Sequence, residues 1–75
     1  MDNRIITFTS MTNAMRARDL LRKHRFSARL VRTPARLRKG SCGYSLIIGG
    51  NPDRAASLLR ERKIPFGGVF ADDGA

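Results

Sequence analysis

The residue whose type is best suited to chemistry in this chain is Cys42, its only cysteine. A thiol reacts as the thiolate, and nearby cations stabilise that form and lower the pKa of the thiol. Three basic residues, Arg36, Arg38 and Lys39, shortly precede Cys42 in the sequence. We therefore expect a reactive thiol with a basic docking point for an anion or a partner protein beside it.

The immediate neighbours of Cys42 are typical of a tight turn. Gly40 and Gly43 bracket the Ser41–Cys42 pair, which leaves the backbone free to turn and allows a partner molecule to approach closely. We interpret Ser41 as a turn residue rather than a nucleophile, because no base and acid accompany it. Gly40, Ser41 and Gly43 are thus expected to shape the turn that presents Cys42.

A second interpretation of Cys42 is structural. Free cysteines are among the most buried residue types, so composition and spacing alone favour a small apolar residue at the start of a strand. A single cysteine forms no internal disulfide, and with one histidine it cannot complete a zinc site of four Cys/His ligands. His24 follows Leu21 at helical spacing, which favours a satisfied or half-exposed position on the core side over a catalytic partnership with Cys42. We expect no metal and no cofactor.

The size and charge of the chain limit the class of protein. Its 75 residues make one domain, 1–75, with no room for a separate substrate domain, so any activity uses an exposed site, a partner or both. The net charge of +9 attracts polyanions or acidic proteins. No secretory signal and no long apolar run is visible, so we expect a cytoplasmic protein that is not bound to membranes.

Hydrophobic patterning predicts four strands and two helices in the order β-α-β-β-α-β. The first helix is predicted from an N-cap at Ser10 or Thr12 to an end near His24 or Arg25, and the second helix is capped by Asn51. The strands are predicted at 5–9, 28–33, 44–48 and 66–70, followed by a polar tail at 71–75.

This order of elements predicts the fold class. It is the ferredoxin-like α+β arrangement, a four-stranded antiparallel sheet with two helices on one face. Within the second strand, Leu30 and Val31 are expected to be the buried pair.

Several short stretches of the chain also carry a family resemblance. They are Thr7-Phe8 before Ala14-Met15-Arg16-Ala17, the Leu20-Leu21 pair, Leu30-Val31-Arg32-Thr33-Pro34, and Cys42-Gly43 ahead of an apolar strand. With these features the chain, from Ile5 to Phe70, resembles the small bacterial family of selenium/sulfur carrier-like proteins.

The resemblance implies a function for the Cys-Gly step. Cys42 would hold sulfur or selenium as a persulfide or perselenide, with Gly43 as its backbone partner, and would exchange it through the thiolate. It further implies donor and acceptor proteins as partners, and a carrier or accessory protein rather than a self-sufficient enzyme.

One non-catalytic alternative is a module that binds nucleic acid. Between Arg16 and Lys39, ten basic residues accompany a single acidic residue, Asp19. Ferredoxin-like sheets can stack RNA bases on aromatic residues of their central strands. Tyr44 is the lone candidate for such stacking, since Phe8 could as easily be a core residue, and no RNA-binding aromatic motif is present.

A further alternative is a protein that docks an acidic partner, with Cys42 structural. The edge strand expected at Phe66–Phe70 contains Gly67 and Gly68 and is able to pair with another chain or with a second copy. The same glycines are equally typical of a β-bulge. Monomer and homodimer both remain compatible with this pattern.

Overall fold

Residues 3–37 and 43–71, which the computed structural model of the protein describes, form four strands and two helices in the predicted order. The elements are β1 (Arg4–Thr7), α1 (Met11–Lys23), β2 (Ser27–Arg32), β3 (Tyr44–Gly49), α2 (Pro52–Glu61) and β4 (Gly68–Ala71). The strands form one sheet in the order β2-β3-β1-β4, and every neighbouring pair is antiparallel. This arrangement confirms the predicted ferredoxin-like α+β fold.

Polar side chains start both helices. The Ser10 side chain accepts a hydrogen bond from the Asn13 backbone N–H at 3.2 Å, so Ser10 rather than Thr12 is the N-cap of α1. The Asn51 side chain accepts from the backbone N–H groups of Asp53 and Arg54 at 2.9 and 3.3 Å, and proline occupies the first helical position. The predicted Asn51 cap is therefore confirmed.

Both helices end in a Schellman motif without glycine. After α1, Phe26 N–H donates to the Leu21 carbonyl at 2.9 Å, and after α2 Ile64 N–H donates to the Leu59 carbonyl at the same distance. The residue that turns the chain has positive φ in each case, 67° at Arg25 and 58° at Lys63. The two helices therefore stop at a defined point although the sequence lacks the usual C-terminal glycine.

The core lies between the helices and one face of the sheet. Its buried members are Ile6, Phe8, Ala14, Ala17, Leu21, Ala28, Leu46, Ile48, Ala55, Leu59 and Ile64. Two expectations about burial differ from the structure. Leu30 packs against the core but is only half-buried, and Val31 is half-buried on the opposite face, because successive strand residues point to opposite faces and β2 is an edge strand. His24 is exposed, because it is the C-cap where α1 leaves the core.

The last strand begins later than predicted. Phe66 and Gly67 precede β4, and the Gly67 N–H donates to the Thr7 carbonyl at 2.7 Å. A Cβ on Gly67 would lie only 2.5 Å from Thr7 Oγ1, so this close approach requires glycine. Ala71, expected in the polar tail, belongs to β4, and 72–75 lie outside the described residues.

Replacing Asn51 with alanine should destabilise the protein by about 1 kcal/mol, because the N-terminal N–H groups of α2 lose their acceptor. The free energy of unfolding, from urea titration followed by circular dichroism, measures the loss. Ser57→Ala, an exposed position within the same helix, is the matched control and should cause little change. Equal losses in the two variants would contradict the capping role of Asn51.

Candidate functional site at the connection between β2 and β3

The predicted site residues fall in the chain between β2 and β3. Cys42, Gly40, Ser41, Arg38 and Lys39 lie outside the described residues, and their assigned roles stay predictions. The two candidates that the structure describes flank this stretch: Arg36 on the β2 side and Gly43 on the β3 side.

The two ends of the connection are held together by the backbone. The Thr33 N–H donates to the Gly43 carbonyl at 2.8 Å, one position beyond the last registered pair, Arg32 with Tyr44. On the β2 side the chain then forms a 3-10 turn, Ala35–Leu37, closed by the Leu37 N–H on the Pro34 carbonyl at 2.9 Å. The chain therefore enters and leaves the candidate site from fixed points.

A buried pair of hydroxyl groups lies beside these fixed points. Thr33 Oγ1 and Ser45 Oγ are 2.5 Å apart, and the two residues are only 1% and 0% exposed. Desolvated hydroxyls are stable when hydrogen-bonded to each other, and such a bond ties the end of β2 to the start of β3. Neither residue was among the predicted site residues, because nothing in the sequence around Thr33 or Ser45 marks a buried hydroxyl.

Burial of the sheet face opposite the helices extends beyond this pair. By strand register Thr7 lies opposite Ser45, and Ile5 lies opposite Ile47. Ile5 and Thr7 are both buried, although neither belongs to the core beneath the helices. The chain between β2 and β3 therefore starts and ends at a part of the sheet whose side chains are buried.

Gly43 has a backbone conformation that suits glycine. Its φ of +91° lies in the region that L side chains rarely adopt, while a Cβ built there would meet nothing within 4 Å. The requirement for glycine therefore comes from the backbone and not from crowding.

The electrostatic surroundings of the connection are positive. Arg36 is exposed in the 3-10 turn and makes a non-covalent interaction with another residue of the protein. In the described part of the chain the acidic residues are Asp19, in α1, and Asp53 and Glu61, in α2. No described carboxylate therefore belongs to the strands or the turn next to the candidate site.

His24 lies at the other end of the sheet from Gly43. It precedes β2, whose six residues span about 20 Å at the usual rise of a strand, and Thr33 and Gly43 follow at the far end. The exposed His24 is thus not placed to act on a group beside Gly43. Within residues 3–37 and 43–71, no three His, Cys, Asp or Glu side chains form a group able to hold a metal ion.

The sheet offers little to a stacked base. Phe8 is fully buried in the core, and Tyr44 shares the helix-facing side of β3 with Leu46 and Ile48. On the opposite side, the described residues of the central strands β1 and β3 include no aromatic residue. The nucleic-acid alternative gains no support from this arrangement.

The protein is a small ferredoxin-like domain. Its candidate site is the chain between β2 and β3, whose two ends are held together by hydrogen bonds. A family model described as "Putative Se/S carrier protein-like" matches residues 3–71. The chain belongs to this family, as its resemblance suggested. No curated protein and no solved structure matched the chain. In the described residues, neither helix has the length and apolar character that crossing a membrane requires.

Replacing Gly43 with alanine should destabilise the protein by about 1–2 kcal/mol, the usual cost of forcing an L residue into left-handed backbone geometry. Urea unfolding measures the change in the free energy of unfolding. Gly49→Ala is the matched control: its φ is ordinary and its Cβ would meet Ser27 Cβ at 3.5 Å, a normal contact. The strain argument would be wrong if Gly49→Ala were as destabilising as Gly43→Ala.

Proposed function

We propose that the protein carries sulfur or selenium on Cys42 and passes it between partner proteins in the cytoplasm. The observation that carries the proposal is the family match, which spans residues 3–71 and includes the only cysteine of the chain. A reducing compartment keeps such a thiol free for exchange.

The transfer is a thiol exchange with no net oxidation. The Cys42 thiolate attacks the terminal sulfur of a donor persulfide, R–S–SH. A new S–S bond forms to Cys42 while the donor S–S bond breaks, and the donor leaves as the thiolate R–S⁻. An acceptor thiolate then attacks the terminal sulfur and releases Cys42 as the thiolate. Perselenide transfer, from R–S–SeH, follows the same balance.

The structure supports this proposal through the anchored ends of the connection. Thr33 is tied to Gly43 by the backbone and to Ser45 by its hydroxyl, so the chain on both sides of the cysteine starts from a fixed geometry. The proposed role of the basic residues is to stabilise the thiolate and to attract acidic groups of the donor and acceptor. Arg36 is the described member of that set, and Arg38 and Lys39 complete it in the sequence.

The transfer proposal predicts a covalent intermediate on Cys42. After incubation with a small-molecule persulfide donor and removal of excess reagent, intact mass spectrometry should show the protein heavier by one sulfur atom. Adding a thiol acceptor should restore the original mass and yield the acceptor persulfide. Cys42→Ala should acquire no sulfur and should keep the urea midpoint of the unaltered protein.

Two results would count against the carrier. One is a Cys42 thiol that iodoacetamide labels only after unfolding, together with a large loss of stability in Cys42→Ala. That combination would make Cys42 a core residue. The other is an adduct that forms but never passes to a thiol, which would indicate adventitious modification.

Arg36→Gln should raise the pKa of the Cys42 thiol, because it removes a positive charge whose proposed role is to favour the thiolate. A higher pKa leaves less thiolate at neutral pH, so alkylation there should slow, while the plateau rate at high pH should be equal or slightly higher because thiolate nucleophilicity rises with pKa. The rate of iodoacetamide labelling as a function of pH measures the shift. Arg54→Gln, exposed in the first turn of α2, is the matched control. An unchanged pH profile in Arg36→Gln would remove Arg36 from the proposed set.

A further inference from the structure

The β4 edge of the sheet is open and apolar. Among residues 3–37 and 43–71, β4 pairs with β1 on one side only, and its four residues, Gly68–Ala71, contain no charged residue and no proline. Val69 and Phe70 are 37% and 40% exposed, among the largest exposed apolar side chains in the described residues. Edge strands of stable monomers are usually protected by charge, proline or a cover.

The opposite edge of the same sheet shows that protection. β2 carries Arg29 and Arg32, both exposed, at positions where another strand would have to approach. Charged side chains on an edge disfavour further pairing. The β2 edge is therefore protected by charge and the β4 edge is not, so β4 is the edge suited to pair with another strand.

A groove runs along β4 on the side of α2. One part of it, of about 570 Å³, is lined by residues that include Ala56, Arg60, Phe66 and Val69. It continues past Arg60 into a second hollow that Lys63 also lines. The Arg60 guanidinium carbon lies 5.7 Å from the centre of the Phe66 ring. The groove thus combines an apolar floor with two cations at the end where β4 begins.

The charges that line this groove favour an acidic occupant. Arg60 and Lys63 lie at the end next to Gly67, while the acidic residue of the lining, Asp53, lies at the N-terminal end of α2. A carboxylate docked at the Gly67 end meets two cations. A second copy is disfavoured, because each chain carries +9 and the two copies repel each other.

We propose that an extended acidic segment of a partner protein pairs with β4 as a fifth strand. Alternate residues of the segment are acidic and face Arg60 and Lys63 on the α2 side. The residues between them are apolar and contact the ring of Phe70 on the other face. Main-chain hydrogen bonds to an edge strand supply the affinity, and the alternating side chains supply the specificity.

This docking surface is separate from the proposed transfer chemistry and does not depend on it. It lies near the candidate site all the same. By register Ser45 is opposite Thr7, and Thr7 is opposite Gly68, so the start of β4 is two strand spacings, about 10 Å, from the start of β3. A segment bound there places its parent protein next to the connection between β2 and β3.

The test uses the full chain and a short fluorescent peptide of alternating glutamate and valine. Fluorescence anisotropy should show binding, and hydrogen exchange should show new protection of the backbone amides in β4. Arg60→Glu should weaken binding by about tenfold or more, as expected for loss of a charge-assisted contact. Arg29→Glu makes the same change of charge on the β2 edge and should leave binding almost unaltered.

Peptide controls keep the test independent of how the variants fold. A peptide with methylated alternate backbone nitrogens cannot pair as a strand and should not bind the unaltered protein, and a lysine-for-glutamate peptide should not bind either. Absence of binding by the alternating peptide would overturn the proposal. So would equal losses in Arg60→Glu and Arg29→Glu, or undiminished binding of the methylated peptide. A concentration-dependent dimer in sedimentation equilibrium, abolished by Val69→Lys, would assign the edge to a second copy instead.

Discussion

The register of β1 between β3 and β4 determines which side chains face the helices and which face the other side of the sheet. Ile6 lies opposite both Leu46 and Val69, and this row faces α1 and α2. Because strand residues alternate between faces, a slip of one residue would carry Ile6 away from the core. The same register places Thr7 opposite Ser45, so the buried hydroxyls of the candidate site follow from the pairing that builds the core.

Much of the fold was predictable because local chemistry and tertiary structure agree. Ser10 and Asn51 are strong helix caps, and the apolar residues of each helix repeat at the spacing that one buried face requires. The ends of the helices were harder, since Arg25 and Lys63 adopt a conformation that sequence reasoning assigns to glycine. The predicted end of α1 near His24 or Arg25 agrees with the C-cap at His24, but His24 was expected on the core side, whereas it is exposed at the point where the Schellman motif turns the chain.

The candidate site was predictable only in part. A lone cysteine among basic residues and glycines is visible in the sequence, and so is the family to which the chain belongs. The bond between Thr33 and Ser45 is not, because the two residues are brought together by the pairing of β2 with β3. Burial of Thr33 likewise depends on the assembled sheet, since threonine is ordinarily found on surfaces.

The pairing of β1 with β4 has a consequence for the order of folding. β2 and β3 are joined by residues 33–43, whereas Arg4 pairs with Ala71 across almost the whole chain. Contacts between residues distant in sequence require a larger loss of chain entropy before their favourable contact energy is gained. On that basis the hairpin of β2 and β3 closes early and β4 joins the sheet late. The strand that assembles last is also an edge strand with only four registered pairs, against six for the other edge strand β2, and its amides should open most readily in the native state.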